Sequence, residues 1–172
     1  MAQSFAHLND DSWPDEAGIK IARAHGLTGT GIRVAVLDTG IDADHEQFSG
    51  RSIQFTYIPH PQCGSHLVGN VRGFDTQGHG SHVAGIIAGA NRGIAPDVVL
   101  SMAAICESET QRSALSRFDQ GLKWVIDLFR DGSPSVLNLS LGYFPPPTPI
   151  MSEAQWQDWM ICWKRAWQDM LV

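Results

Sequence analysis

IRVAVLD, Ile32 to Asp38, decides how the rest of the chain is read. It is an almost unbroken apolar run, rich in β-branched residues and bounded by Gly31 and Gly40. A strand with one wet face alternates polar and apolar side chains. A run of this kind is buried on both faces, as strands of parallel sheets are. Such a strand needs helices above and below it, so the flanking sequence should supply them.

It does. Upstream, Ser12 to Gly26 reads as a helix, with Ser12 as cap, Pro14 near the first turn and Gly26 as the stop. Downstream, a weaker strand is expected at Ile53 to Ile58, and loop from His60 to Gly78. A helix is expected from His79 to Ala90, then a buried strand from Asp97 to Ile105. Ala114 to Arg130 follows as a helix, with Leu115, Phe118, Leu122, Val125, Ile126 and Phe129 at helical spacing. Val136 to Leu141 is the next strand. YFPPPTP, Tyr143 to Pro149, can only be an exposed connection. Ser152 opens a last helix with Gln155 at the capping-box position. Its Trp156, Trp159, Trp163 and Trp167 fall on one face, read as packing against the sheet in preference to docking a partner.

Strand and helix alternate throughout, which predicts an α/β fold: three layers, with a mostly parallel sheet between flanking helices. At 172 residues, without repeats or a low-complexity linker, the chain reads as a single domain, residues 1–172. It is 43% hydrophobic and 17% charged, a globular composition. A net charge of −6 without a Lys/Arg run argues against nucleic acid as a partner. No apolar stretch reaches the length of a membrane span, so no membrane partner is expected. Residues 1–30 are polar and acidic, unlike a secretory leader. Cys63, Cys106 and Cys162 are too far apart for a metal-type pair and read as buried free thiols. Together these predict a cytoplasmic location.

Reactive groups collect at the carboxyl ends of parallel strands. Asp38 ends the first one, and Thr39 and Gly40 are small enough to let the chain turn away. In GHGSHVAG, Gly78 to Gly85, His79 opens the next helix between two glycines that leave its ring reachable. An acid that orients an imidazole, and an imidazole that takes a hydroxyl proton, are two parts of a nucleophilic relay. Read singly, each residue is an ordinary structural one. GIRVAVLDTGIDADH, Gly31 to His45, and GHGSHVAGIIAG, Gly78 to Gly89, resemble the segments around the catalytic Asp and His of subtilisin-like serine peptidases. SVLNLSLG, Ser135 to Gly142, resembles that family's substrate-binding strand. AHGLTGTG and GIAPDVVL fit the approach to the Asp strand and the strand after the His helix, so the resemblance covers roughly Trp13 to Leu171.

The resemblance implies a serine-type endopeptidase acting on peptides or proteins, with family chain order Asp, His, Ser. His79 would be the general base and Asp38 the holder of its tautomer. Ser140, Leu141 and Gly142 would offer backbone groups to an extended substrate. Ser81 stands where the family commonly has threonine, and His82 is expected to pack beneath the site. The sequence has no Gly-Thr-Ser-type segment and no G-x-S-x-G. Asn138 lies inside a strand and is not the family's oxyanion donor, whose loss would cost about 3–4 kcal/mol.

The resemblance therefore implies a partial domain, incomplete at the C-terminus and inactive alone. A second chain could supply the Ser half. A non-catalytic scaffold binding peptides or a partner chain is the alternative. No cofactor is expected. Gln47 stands where relatives carry a calcium-binding acid, which predicts no calcium there. A zinc site from Asp75, His79 and His82 lacks the HExxH pattern. A nucleotide site from GTG lies on the wrong side of its strand.

Overall fold

Ile32 to Asp38 forms the strand its composition predicts. In the computed structural model, which describes residues 17–60, 67–69, 71–106 and 115–141 with Gln157 and Ile161, β1 is Arg33–Asp38. Val34 to Asp38 are all buried. α1 precedes it at Ile19–Ala24, and a 3-10 turn, Glu46–Phe48, follows. Then come β2 (Gln54–Tyr57), β3 (Val68–Gly69), α2 (His79–Ala88), β4 (Val99–Ala104), α3 (Leu115–Leu128) and β5 (Ser135–Asn138).

The sheet order is β3-β2-β4-β1-β5. β1 is held parallel by β4 on one side, Arg33 opposite Val99, and by β5 on the other, Arg33 opposite Ser135. β2 pairs parallel with β4, Gln54 opposite Ser101. The sheet is thus mostly parallel. β3 departs from the sequence reading, which has loop there: Val68 and Gly69 pair antiparallel with Tyr57 and Thr56. Two residues give no period to read, so the pairing is invisible in the sequence.

The two-residue period of a strand sorts the core into two layers. Val34 and Val36 of β1, with Leu100 and Met102 of β4, meet Ala84 and Ala88 of α2. Ala35 and Leu37, with Ala103 and Ile105, meet Leu122 and Val125 of α3. Two helices on opposite faces of one sheet make the three layers. By the same alternation, Asp38 falls on the α2 side, at the end of the strand.

Arginines finish both helices. Arg51 donates to the carbonyls of Ala88, Pro96 and Val98, and Arg33 donates to Leu128 O at 2.9 Å. Cations at helix C-termini satisfy carbonyls that have no partner within the helix.

Some boundaries differ from the sequence reading. The described helix at the N-terminal end is only Ile19–Ala24, while Ser12 and Pro14 lie outside the described residues. α2 stops at Ala88, where Gly89 takes an extended conformation. β5 ends at Asn138 and does not reach Leu141. Of the expected tryptophan helix only Gln157 and Ile161 are described, both helical; its tryptophans, Tyr143–Pro149, Cys63 and Cys162 lie outside the described residues. Cys106 is buried.

Candidate active site

The carboxyl end of β1 meets the amino end of α2. Asp38 is completely buried, and its Oδ1 lies 2.7 Å from Nδ1 of His79, whose side chain is 32% exposed. A carboxylate oxygen can only accept, so the contact puts the proton on Nδ1. That makes Nε2 the ring nitrogen that carries the lone pair. Oδ1 also accepts the Thr39 N–H at 2.7 Å. Oδ2 is buried without a hydrogen-bond partner among the described residues. A buried carboxylate so sparsely hydrogen-bonded favours a positive charge beside it. The imidazolium formed by proton uptake supplies one.

The first N–H groups of a helix lack internal partners. In α2, side chains from outside the helix take them. His79 N donates to Gln77 Oε1 at 3.2 Å, Gly80 N to Thr39 Oγ1 at 2.9 Å, and Ser81 N to Asp75 Oδ2 at 2.8 Å. Asp75 is the hub. Its Oδ1 accepts from Thr39 Oγ1 at 2.9 Å, Gly78 N at 2.9 Å and Gln77 N at 3.0 Å; its Oδ2 also accepts from Ser81 Oγ at 2.7 Å. Burial pushes the Asp75 carboxyl up, but the bonds from Ser81 Oγ and the Gly78, Gln77 and Ser81 N–H groups together outweigh it and hold it below the usual range. Ser81 Oγ in turn accepts the Asp42 N–H at 2.8 Å.

The glycines beside His79 also shape the backbone around it. Gly78 caps the helix at φ 93°, a left-handed conformation that glycine adopts freely. At Gly80 an added Cβ would lie 2.1 Å from Gly40 O and 2.7 Å from Met102 Cε. The helix start and the turn after β1 therefore touch backbone to backbone. That contact brings His79 within reach of Asp38.

The structure brings Asp38 and His79 together, and the Ser81 hydroxyl donates to Asp75. His82, expected beneath the site, is exposed. It sits three residues beyond His79, on a different face of α2 from the buried Gly80, Ala84 and Ala88. Among the described residues no three His, Cys, Asp or Glu side chains are grouped as a metal set. Gln47 Oε1 accepts the Asn91 N–H at 3.1 Å, tying the turn after α2.

Ser140 and Leu141 lie past the end of β5 and are exposed. The register pairs Val36 with Asn138, so extending it brings Ser140 level with Asp38. Ser140 Oγ donates to Asn138 Oδ1 at 2.9 Å. Gly142 lies outside the described residues. A 710 Å³ depression lined by Phe48, Arg51, Phe55 and Arg72 contains neither Asp38 nor His79.

The sequence reading named Thr39 only as a small turn residue and Asp75 only in a zinc set it set aside, and it missed the hydrogen bonds that join them to the helix start. A carboxylate just ahead of a helix start is a capping signal, and DTQGHGS, Asp75 to Ser81, carries it.

A family model described as the subtilase family matches residues 29–166. Subtilisin-like protease PopC of Myxococcus xanthus (strain DK1622) is 42% identical over 159 residues, 90% of this chain and 34% of that protein. Subtilisin BL of Lederbergia lenta is 36% identical over 138 residues, 77% of this chain and 45% of that protein. A solved cold-adapted subtilisin-like serine proteinase matches with TM-score 0.56 and 27% identity, over 83% of this chain and 44% of that one. The chain spans between 34% and 45% of the length of these three relatives.

Proposed function

The chain belongs to the subtilase family, and on that premise we propose that Asp38 and His79 are the acid–base half of a serine endopeptidase acting on peptides or proteins. The observation that supports this most directly is the 2.7 Å contact between a fully buried Asp38 and a partly exposed His79. A sealed acid and an open base match the division of labour in acyl transfer. Asp38 holds the proton on Nδ1. Nε2 takes the proton of an attacking hydroxyl, and the resulting imidazolium rests against the Asp38 carboxylate. The same Nε2–H then protonates the leaving amine.

The hydroxyl is assigned to residues outside these three segments, because Ser81 donates to Asp75 and Ser140 to Asn138. Neither a Gly-Thr-Ser segment nor an oxyanion donor of the family type occurs in these 172 residues. The complete reaction therefore needs residues from a longer protein or a second chain. Ser140 to Gly142 would present backbone groups to an extended substrate lying beside the β1 end.

The test is peptide hydrolysis by the protein expressed from its complete gene, with and without His79→Ala. A loss of about 10⁶-fold in kcat is expected, the size established for removal of the triad histidine in this class. A His79→Ala protein that turns over at the parent rate overturns the proposal. The 172-residue chain alone is expected to show no turnover above background.

A further inference from the structure

We propose that Asp75 is a positioning residue that holds the Asp38–His79 hydrogen bond in register by way of the Thr39 hydroxyl. The inference rests on the peptidase reading of the same site and adds a part to it.

Thr39 is buried and stands between the two members of the pair. Its backbone N–H donates to Asp38 Oδ1, the same oxygen that faces His79 Nδ1. Its Oγ1 accepts the N–H of Gly80, the residue after His79. One residue thus contacts both chain segments that have to stay aligned. A hydroxyl has a single proton and rotates freely, so its polarity needs setting. Asp75 Oδ1, 2.9 Å away, is an obligate acceptor and takes that proton, which leaves an Oγ1 lone pair aimed at Gly80 N–H.

Asp75 is itself anchored on the helix side by Gly78 N and by both donors of Ser81. Gly40 pairs with it across an isolated bridge, and Ile41 N donates to Phe74 O at 3.0 Å. The carboxylate therefore fixes the turn after β1 and the start of α2 to each other. Alignment matters at this point, because a displacement of about 1 Å in a reacting pair costs on the order of 10²-fold in rate.

A bare helix cap would use the same carboxylate differently. Asp75 caps the helix directly through Gly78 and Ser81, and its positioning action runs through the Thr39 hydroxyl, which accepts the Gly80 N–H. Thr39→Val removes the hydroxyl, keeps the shape and leaves every bond from Asp75 to the helix intact. That substitution separates the two roles.

The experiment is a proton NMR spectrum of the ¹⁵N-labelled protein expressed from its complete gene, with unfolding midpoints measured alongside. The parent should show the His79 Nδ1 proton well downfield of the backbone amides, identified by its disappearance in His79→Gln. Thr39→Val and Asp75→Asn are expected to lose that resonance while remaining folded at room temperature. Ser81→Ala, which leaves the Thr39 bond to Asp75 in place, is expected to keep it. Thr39→Val carries the test by itself if Asp75→Asn unfolds. Variants with lowered midpoints and an unchanged resonance would show a structural cap only and overturn the proposal. A parent without the resonance would overturn it as well. Neither result touches the peptidase reading, which the His79→Ala turnover decides.

Discussion

Asp38 is fully enclosed, yet the His79 ring it touches is 32% exposed, and this contrast sets the chemistry available to single residues here. In the complete enzyme, Asp38→Asn should leave the fold intact and lower kcat by about 10⁴-fold, because an amide NH₂ facing Nδ1 selects the wrong tautomer. Steady-state kinetics with a circular dichroism control checks it. Asp75 makes an acid-sensitivity prediction with a definite sign. Its folded-state pKa is lowered, so its contribution to stability is fully present above the ordinary carboxylate value of about 3.9 and is lost as pH falls through the lowered folded value. Asp75→Asn should flatten the acid limb of a stability-versus-pH curve, and an unchanged limb would count against the network. Asp38 and His79 were singled out through the family resemblance of the segments around them, since each read alone is an ordinary structural residue. Asp75 and Thr39 are not readable in this way. Their role depends on two loops meeting, and nothing local in DTQGHGS specifies that Thr39 will lie opposite.

At the scale of an element, α2 has two glycines with opposite requirements. Gly80 is pressed against Gly40, and a Cβ there would meet backbone at 2.1 Å that cannot yield. Gly80→Ala should cost about 3 kcal/mol and separate His79 from Asp38. Gly85 has nothing within 4 Å of an added Cβ, and Gly85→Ala should stabilise the protein by up to about 1 kcal/mol, since alanine is the better helix former. Denaturant unfolding of the two variants should therefore give shifts of opposite sign. The long periodic elements, β1, β4, α2 and α3, were legible because burial on two faces or one stripe writes itself into the side-chain period. β3 was not, being set by pairing with β2. The early end of β5 was not legible either, because Leu139 continues the apolar pattern after the ladder has stopped.

At the scale of the molecule, one sheet separates two apolar layers, and β1 contributes alternate side chains to each. Leu37 is fully buried on the α3 side, where its methyls lie 3.0 and 3.3 Å from a Cβ placed at Gly121. Leu37→Ala should cost about 3 kcal/mol, a transfer loss plus a cavity that the tight α3 contact keeps from closing. Its unfolding midpoint should fall while the Asp38–His79 contact, on the opposite face, stays in place. The layer arrangement was legible from the strand–helix alternation. The strand order was not, since the same alternation is compatible with several orders and only the crossovers choose among them.

That strand order governs when the Asp38–His79 contact can form during synthesis and folding. β1 is finished early in the chain, but Arg33 must wait for Val99 on one side and Ser135 on the other. Pairings so distant in sequence are slow to close. Until both have closed, Asp38 remains wet and the turn that receives Gly80 is unsupported. A nascent chain therefore carries Asp38 and His79 before they can meet, and their contact is made at the same late step that completes the sheet.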